Sequence, residues 1–146
     1  MDLTLADFSI RIGISVLLGF FIGIERELTG HPAGVQTNTL VCLGSCIFVL
    51  ASFNFPETEA ARIAAQIISG VGFLGTGIIF KDGANVKGIN TAATIWCAAA
   101  VGILTSVGQI IFALIATAAI VLVNLIFQQR VKKERKAKGK TDKLEK

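Results

Sequence analysis

Apolar residues occur along the chain in five long runs, separated by short stretches that carry charge, glycine or proline. A helix needs about 20 mostly apolar residues to cross a bilayer, with a range of about 17 to 25. Each run has about this length, so the pattern predicts an all-α fold, a polytopic membrane helix bundle with about five transmembrane helices. The predicted helices cover residues 8–24, 38–55, 63–80, 91–107 and 110–127.

Turn-forming residues mark the connections between these runs. Pro56 precedes the third run, and proline suits the first turn of a helix. Gly83 and Gly88 lie between the third and fourth runs. Only Gly108 and Gln109 separate the last two runs, which predicts a tight antiparallel hairpin.

Polar side chains inside the first four runs recur at i, i+4, i+7 and i+11, positions that share one face of a helix. Lipid cannot satisfy polar groups, so these faces are expected to turn toward the bundle interior. The pattern predicts one shared polar seam and a peripheral fifth helix. In chain order the stripes are Arg11, Ser15, Gly19, Ile22, Arg26; Asn38, Cys42, Ser45, Val49, Ser52; Arg62, Gln66, Ser69, Phe73, Thr76; and Asn90, Thr94, Cys97, Val101, Thr105.

The seam has two interpretations. Its hydroxyls and amides can serve as glue between helices, or they can line a hydrated path or binding cleft. Asn90 can also be a helix N-cap, and Arg11 and Arg62 can pair with nearby Asp7 and Glu59. The residues taken as the functional seam are Asn90, Thr94, Cys97, Arg62, Gln66 and Ser69, and those of a charged cluster at the inner end of the first helix are Glu25, Arg26 and Glu27.

Small residues predict close helix contacts. Gly19 and Gly23 form a GxxxG motif in the first helix. The third helix is glycine-rich over the stretch SGVGFLGTG, so it is predicted to lie at the bundle centre. Its packing glycines are Gly70, Gly72, Gly75 and Gly77.

Charge then sets the orientation. Hydrophobic residues make up 53% of the chain and charged residues 16%, against roughly 25% charged in soluble domains. Residues 128–146 hold nine of the fourteen Lys and Arg residues. The positive-inside rule therefore predicts a cytoplasmic C-terminus and, with five crossings, an N-terminus outside. Residues 1–127 would form the bundle and residues 128–146 a basic, disordered tail, which either lies on anionic lipid or only anchors the topology.

Catalytic and metal-binding patterns are weak. The sequence contains one His, no Tyr, no P-loop and no Rossmann fingerprint, so neither an enzyme nor a cofactor is predicted. Cys42 and Cys46 are interpreted as small buried hydrophobes rather than metal ligands. Asp82 is a weak candidate for a hard cation, and a solvated turn is the simpler interpretation. The basic residues form a tail rather than a surface, so no nucleic-acid partner is predicted.

Three stretches read GIERELTGHPAGVQTNTLVCLG, RIAAQIISGVGFLGTGIIF and NVKGINTAATIWCAAAVGIL. On these motifs, which span roughly residues 10–123, the chain resembles the MgtC/SapB family of bacterial membrane proteins. The resemblance implies an inner-membrane protein of about five helices, associated with growth at low magnesium and survival in host cells. The functional Asn and Cys of the family motif NTAATLWC fall on Asn90 and Cys97.

Two departures from the family pattern limit the comparison. Longer members carry a soluble C-terminal domain, whereas only residues 128–146 follow Phe127, so a short form is expected. The family usually has Arg in the segment AGLRT, where this chain has Gln36 in AGVQT. This difference weakens the argument for a contact with an anion or a partner at that loop.

From the residues and the resemblance together we predict a non-enzymatic modulator of ion or proton physiology in the bacterial inner membrane. It would act through a membrane partner, and the resemblance suggests the F-type ATP synthase; a homo-oligomer is a further prediction. One rival function is a small cation transporter or channel, with magnesium as the cation. Another is a structural packing subunit of a larger membrane complex.

Overall fold

The computed structural model describes the backbone of residues 3–83 and 85–141, and the side chains of this part up to residue 127 apart from residues 57 and 58. Five helices and one short hairpin are present in the described part. They are α1 (Leu5–Leu28), α2 (Val35–Ser52), α3 (Glu57–Thr76), β1 (Phe80–Asp82), β2 (Asn85–Lys87), α4 (Ile89–Ser106) and α5 (Ile110–Thr141).

The predicted all-α helix bundle is confirmed. Within the described part, four helical segments are long and apolar enough to cross a membrane: α1, α2, α4 and the Ile110–Phe127 part of α5. The remaining helix, α3, carries Arg62 and Gln66 and is less apolar. It nevertheless runs from the end of α2 to the start of α4, so it passes along the full length of the bundle.

The two ends of the bundle can be named by their buried arginines. At the Arg26 end, Arg26 of α1 reaches Thr91 near the start of α4. At the Arg11 end, Arg11 of α1 reaches Ser106 at the end of α4. The start of α1 thus lies beside the end of α4, and the end of α1 lies beside the start of α4, so the two helices are antiparallel.

Helix α4 is the central helix, since it contacts α1, α2, α3 and α5. A Cβ atom built on Gly102 would lie 2.1 Å from the carbonyl oxygen of Cys42, so α2 and α4 approach with no room for a side chain. One buried apolar cluster joins α1, α2, α4 and α5: Leu18, Ile22, Cys42, Ala98, Val101 and Ala113.

The predicted central position of α3 is wrong. Helix α3 packs by one face on α4 and α2, through Val71 and Gly75. A Cβ atom on Gly70 or Gly72 would meet nothing within 4 Å, so these glycines do not mediate a close helix contact. Glycine permits close approach without requiring it, and here the alanines and Gly102 of α4 make the closer contacts.

The segment between α3 and α4 differs from the prediction. The third run ends as a helix at Thr76, and residues 80–82 pair with residues 85–87 as an antiparallel hairpin. Gly83 and Gly88 have φ values of 61° and 91°, which L-residues with side chains rarely adopt. The glycines therefore fix the turn and the entry into α4.

The last helix is longer than predicted. Helix α5 extends past Phe127 as far as Thr141, over backbone that the sequence predicted to be disordered. The segment consists mostly of Gln, Lys and Arg, which are good helix formers, and it has no proline that would end the helix. The remainder of the predicted tail, residues 142–146, lies outside the described residues.

Candidate functional site

Two charged side chains are buried at the Arg26 end. Glu25 is 6% exposed and Arg26 is 2% exposed. Nη2 of Arg26 donates to Oγ1 of Thr91 at 3.2 Å, and its Nε has no hydrogen-bond partner within the described residues. Ionisable residues in membrane helices are costly and mark functional sites by default. We therefore take this place as the candidate site.

The Glu25 carboxylate joins three helices. Its Oε2 accepts a hydrogen bond from Nδ2 of Asn124 on α5 at 3.0 Å. Oδ1 of Asn124 lies 3.5 Å from Oγ1 of Thr94 on α4, whose nearer acceptor is the carbonyl oxygen of Asn90 at 2.9 Å. Oγ1 of Thr29 lies 3.5 Å from Oε1 of Glu25. We call Glu25, Arg26, Thr91, Thr94 and Asn124 the Arg26-end cluster.

The composition of the Arg26-end cluster limits its chemistry. It has one carboxylate and one guanidinium, with hydroxyl and amide groups between them. A hard cation takes six or more oxygen ligands or several waters. No group of three or more His, Cys, Asp or Glu residues suited to a metal occurs in the described part. The cluster is suited to fixing the relative positions of α1, α4 and α5.

Glu27 is separate from the Arg26-end cluster and has a different role. It is exposed, and its Oε2 accepts from the backbone N–H of Val35 at 2.9 Å, so it caps the start of α2. A Cβ atom on Gly34 would lie 2.6 Å from this oxygen, so a side chain there would push the Glu27 carboxylate out of its present position. Of the predicted charged cluster, Glu25 and Arg26 lie in the buried site, whereas Glu27 stabilises a helix terminus.

Arg11 is buried at the opposite end of the bundle. It is 9% exposed, and its Nη1 donates to the carbonyl oxygen of Ser106 at 2.6 Å. The positive charge thus lies at the C-terminus of α4, where the helix dipole favours it. Asp7 forms a capping box with Thr4, and among the described residues it makes no salt bridge with Arg11.

Most buried hydroxyls do not bridge helices, contrary to their interpretation as interhelical glue. Five of these hydroxyls instead donate to a backbone carbonyl three or four residues earlier in their own helix. This group consists of Ser15, Ser52, Thr105, Ser106 and Thr117. The side-chain bonds that cross between helices are therefore concentrated at the two arginine ends.

The α4 residues of the predicted seam divide between interior and surface. Thr94 is buried in the Arg26-end cluster, Cys97 is half-buried, and Asn90 is exposed. Gly88 rather than Asn90 is the N-cap of α4, so the alternative capping role is wrong. Asn90 and Cys97 share a face that borders the surface of the bundle.

The α3 residues of the predicted seam lie away from the others. Arg62, Gln66 and Ser69 are exposed. Arg62 forms a salt bridge with Glu59, as one alternative predicted. The four-helix seam is thus corrected, because α1 and α2 turn their stripes inward, α4 does so only in part, and α3 turns its stripe outward. Helical phase fixes which residues share a face, but not which face contacts the bundle.

The predicted packing glycines fall into three groups by their contacts with other helices. Gly19 and Gly23 lie directly on α2, where an added Cβ atom would be 2.8 and 2.5 Å from the Cα atoms of Thr39 and Val35. Gly75 lies against Ala92 of α4, with its built Cβ 3.3 Å from the alanine Cβ. No other helix lies within 4 Å of the built Cβ atoms of Gly70, Gly72 and Gly77.

Asp82, the weak metal candidate, forms a salt bridge with Lys87 across the hairpin. Both side chains are exposed, so the carboxylate stabilises the turn in solvent.

Sequence reasoning missed Thr91, Asn124 and Gly102. Asn124 is the strongest omission, because an amide in an otherwise apolar helix is a signal that the sequence did contain. Thr91 lies outside the α4 stripe. Its partner Arg26 lies 65 positions away, so local spacing could not reveal the pair.

Four apolar spans and a buried polar cluster define a multi-pass membrane protein. The chain matches the family model of the MgtC family over residues 12–133. It is 51% identical over 116 residues to Protein MgtC of Brucella abortus (strain 2308), covering 79% of this chain and 49% of that protein. It is 46% identical over 115 residues to Protein MgtC of Salmonella typhimurium (strain LT2), covering 79% and 50%.

The chain therefore belongs to the MgtC family, which confirms the resemblance found in its motifs. It spans about half the length of the curated relatives it matches. No solved structure matches the chain.

Proposed function

We propose that this protein is a non-enzymatic modulator of ion or proton physiology during adaptation to low magnesium. It would act by binding another component of the bacterial inner membrane. Family membership supports the physiological setting, and the packing of the bundle supports action through contacts. The F-type ATP synthase is the first partner to test.

The observation that carries this proposal is the sealed middle layer of the bundle. Ile22, Ala98, Val101 and Ala113 are 0% exposed, and Leu18 is 4% exposed. These apolar residues lie between the polar groups of the Arg11 end and those of the Arg26 end, together with buried hydroxyls that donate to their own helix backbones. Ions need a hydrated or polar path through a membrane. A monomer packed in this way favours modulation over conduction.

The proposed orientation places the Arg26 end in the cytoplasm. The hairpin with exposed Lys81 and Lys87 lies at this end, because it leads directly into the start of α4. Helix α5 also leaves the bundle there, next to Asn124. Positive residues near the ends of membrane helices favour the cytoplasmic side.

The test combines growth and co-purification. A strain that lacks the protein is complemented with the unaltered chain, with Asn90→Ala, or with Asn54→Ala as the matched control in an exposed turn. We expect Asn90→Ala, at normal expression, to lose growth at low magnesium and to release the co-purifying membrane protein. Full growth with Asn90→Ala and retention of the same partner would contradict the proposal and favour a packing subunit.

A further inference from the structure

One face of α3 is largely polar and exposed. We call Arg62, Gln66, Ser69, Phe73 and Thr76 the outer α3 face. All five are exposed, and Phe73 is 80% exposed. The opposite side of the helix, with Val71 and Gly75, packs on α4.

Two residues of the outer α3 face have unsatisfied side chains. Thr76 Oγ1 donates to the carbonyl oxygen of Phe73 at 2.7 Å, and Arg62 pairs with Glu59. Gln66 and Ser69, in contrast, form no side-chain hydrogen bond within the described part of the chain. The amide of Gln66 and the hydroxyl of Ser69 must therefore find partners outside this chain.

With the bundle placed across a bilayer, the middle of α3 lies at a depth where water is scarce. Gln66 lies near the middle of α3 and, with Ser45 of α2, lines a groove of about 490 Å³. Ser45 lies in turn beside Gly102 of the central helix α4. The groove is otherwise apolar, and an amide that faces lipid without a hydrogen bond costs several kcal/mol.

We propose that the outer α3 face binds the same face of a second copy of this chain, side by side in the membrane. All copies insert with the same orientation, so a two-fold axis along the membrane normal places Gln66 opposite Gln66 at equal depth. An amide and a hydroxyl each donate and accept hydrogen bonds, so identical residues can satisfy one another.

The charge of the outer α3 face also fits a second copy better than a charged helix or a lipid headgroup. Arg62 is already neutralised by Glu59, so the face has no net charge that requires an opposite partner. Headgroups do not reach the middle of the bilayer, where Gln66 lies. Pairing of two copies also explains why α3, which traverses the bundle, is less apolar than the other four helices.

The first test measures self-association in vesicles of phosphatidylethanolamine and phosphatidylglycerol. Copies labelled at the C-terminus with donor or acceptor fluorophores are diluted over a range of protein-to-lipid ratios. Interhelical polar contacts in model membrane peptides are worth about 1–2 kcal/mol, so Gln66→Leu should weaken association roughly five- to thirty-fold. The matched control, Gln109→Leu in the exposed turn before α5, should leave association unchanged.

The second test uses oxidative cross-linking in the same vesicles. Helices that pack at 8–10 Å bring facing Cα atoms within disulfide range. Copper phenanthroline should therefore link Ser69→Cys into dimers. The unaltered chain, with its three native cysteines, and Ala119→Cys on the exposed side of α5 should remain monomeric.

Each of the two tests can overturn the proposed contact between two copies. Gln66→Leu that associates as strongly as the unaltered chain, or Ser69→Cys that cross-links no better than Ala119→Cys, would overturn the proposal. Retained burial of Cys42, measured by thiol labelling, shows that Gln66→Leu is folded. Neither outcome depends on the physiological partner, so this inference can fail while the proposed function stands.

Discussion

The contact between α2 and α4 can be tested by adding a single methyl group. Gly102→Ala would place a Cβ atom 2.1 Å from the carbonyl oxygen of Cys42 and 3.0 Å from Cβ of Ser45. A carbon and an oxygen atom normally stay more than about 3 Å apart, so the two helix backbones must separate by roughly 1 Å. Both helices are part of the core, and the strain has no flexible side chain to absorb it.

The expected cost follows from this geometry. Overpacking a core typically costs about 1–3 kcal/mol, and a clash between backbones belongs at the upper end. Alanine has a better helix propensity than glycine by about 1 kcal/mol, which offsets part of the cost. The net destabilisation is therefore about 2 kcal/mol, and Tm should fall by roughly 5–10 °C.

Thermal unfolding in mild detergent checks this value. Unfolding is followed by far-UV circular dichroism and by thiol labelling, because Cys42 and Cys46 are fully buried in the folded chain. Gly13→Ala in α1 is the matched control, since a Cβ atom there meets nothing within 4 Å. If Gly102→Ala unfolds at the same temperature as Gly13→Ala, the close approach of α2 and α4 is refuted.

Three further predictions concern the ends of the bundle. Asn124→Leu removes a donor to the buried carboxylate of Glu25, so the bundle should lose about 1–3 kcal/mol, measured by urea or thermal unfolding; unchanged stability would exclude this contact. Glu27→Ala removes the cap on the Val35 N–H and should lower stability by about 1 kcal/mol, whereas Glu27→Gln should retain most of it; equal losses would argue against a capping role. Gly88→Ala would require an alanine with φ near 91° and a Cβ atom only 2.1 Å from the carbonyl oxygen of Ile78. The strain should increase the rate of proteolysis between α3 and α4, and an unchanged cleavage rate would contradict it.

Helical phase predicted most of the interior of α1 and α2. Arg11, Ser15 and Arg26 lie on the buried face of α1, as their spacing indicated. This prediction works because a helix with one polar stripe and three apolar faces has one favourable orientation in lipid. The glycines of α1 strengthened it, since Gly19 and Gly23 lie on the same face and contact α2.

The same reasoning failed for α3, and the reason is physical. The spacing of Gln66 and Ser69 matches that of an inward stripe, but the opposite face carries Val71 and Gly75, which fit against α4. A polar face can be satisfied by the chain itself or by another molecule, and periodicity does not distinguish the two. The position of α3 depends on tertiary contacts that no local pattern contains.

The candidate site was only partly predictable. Glu25 and Arg26 were found because charge is rare in an apolar helix. Their partners Thr91 and Asn124 lie far away in sequence, and only the folded bundle brings them together. Glu27 was grouped with them by adjacency, yet it points to α2, because neighbouring residues in a helix lie about 100° apart.

The sealed interior is tested most directly by ion flux through vesicles that contain only this protein. Purified protein is reconstituted with a fluorescent magnesium or proton indicator inside, and a gradient of Mg²⁺ or H⁺ is applied. Because Ile22, Val101 and Ala113 close the middle of the bundle, the flux should equal that of protein-free vesicles. Saturable, ion-selective flux that rises with the amount of protein would show a conducting path and contradict the proposed modulator function.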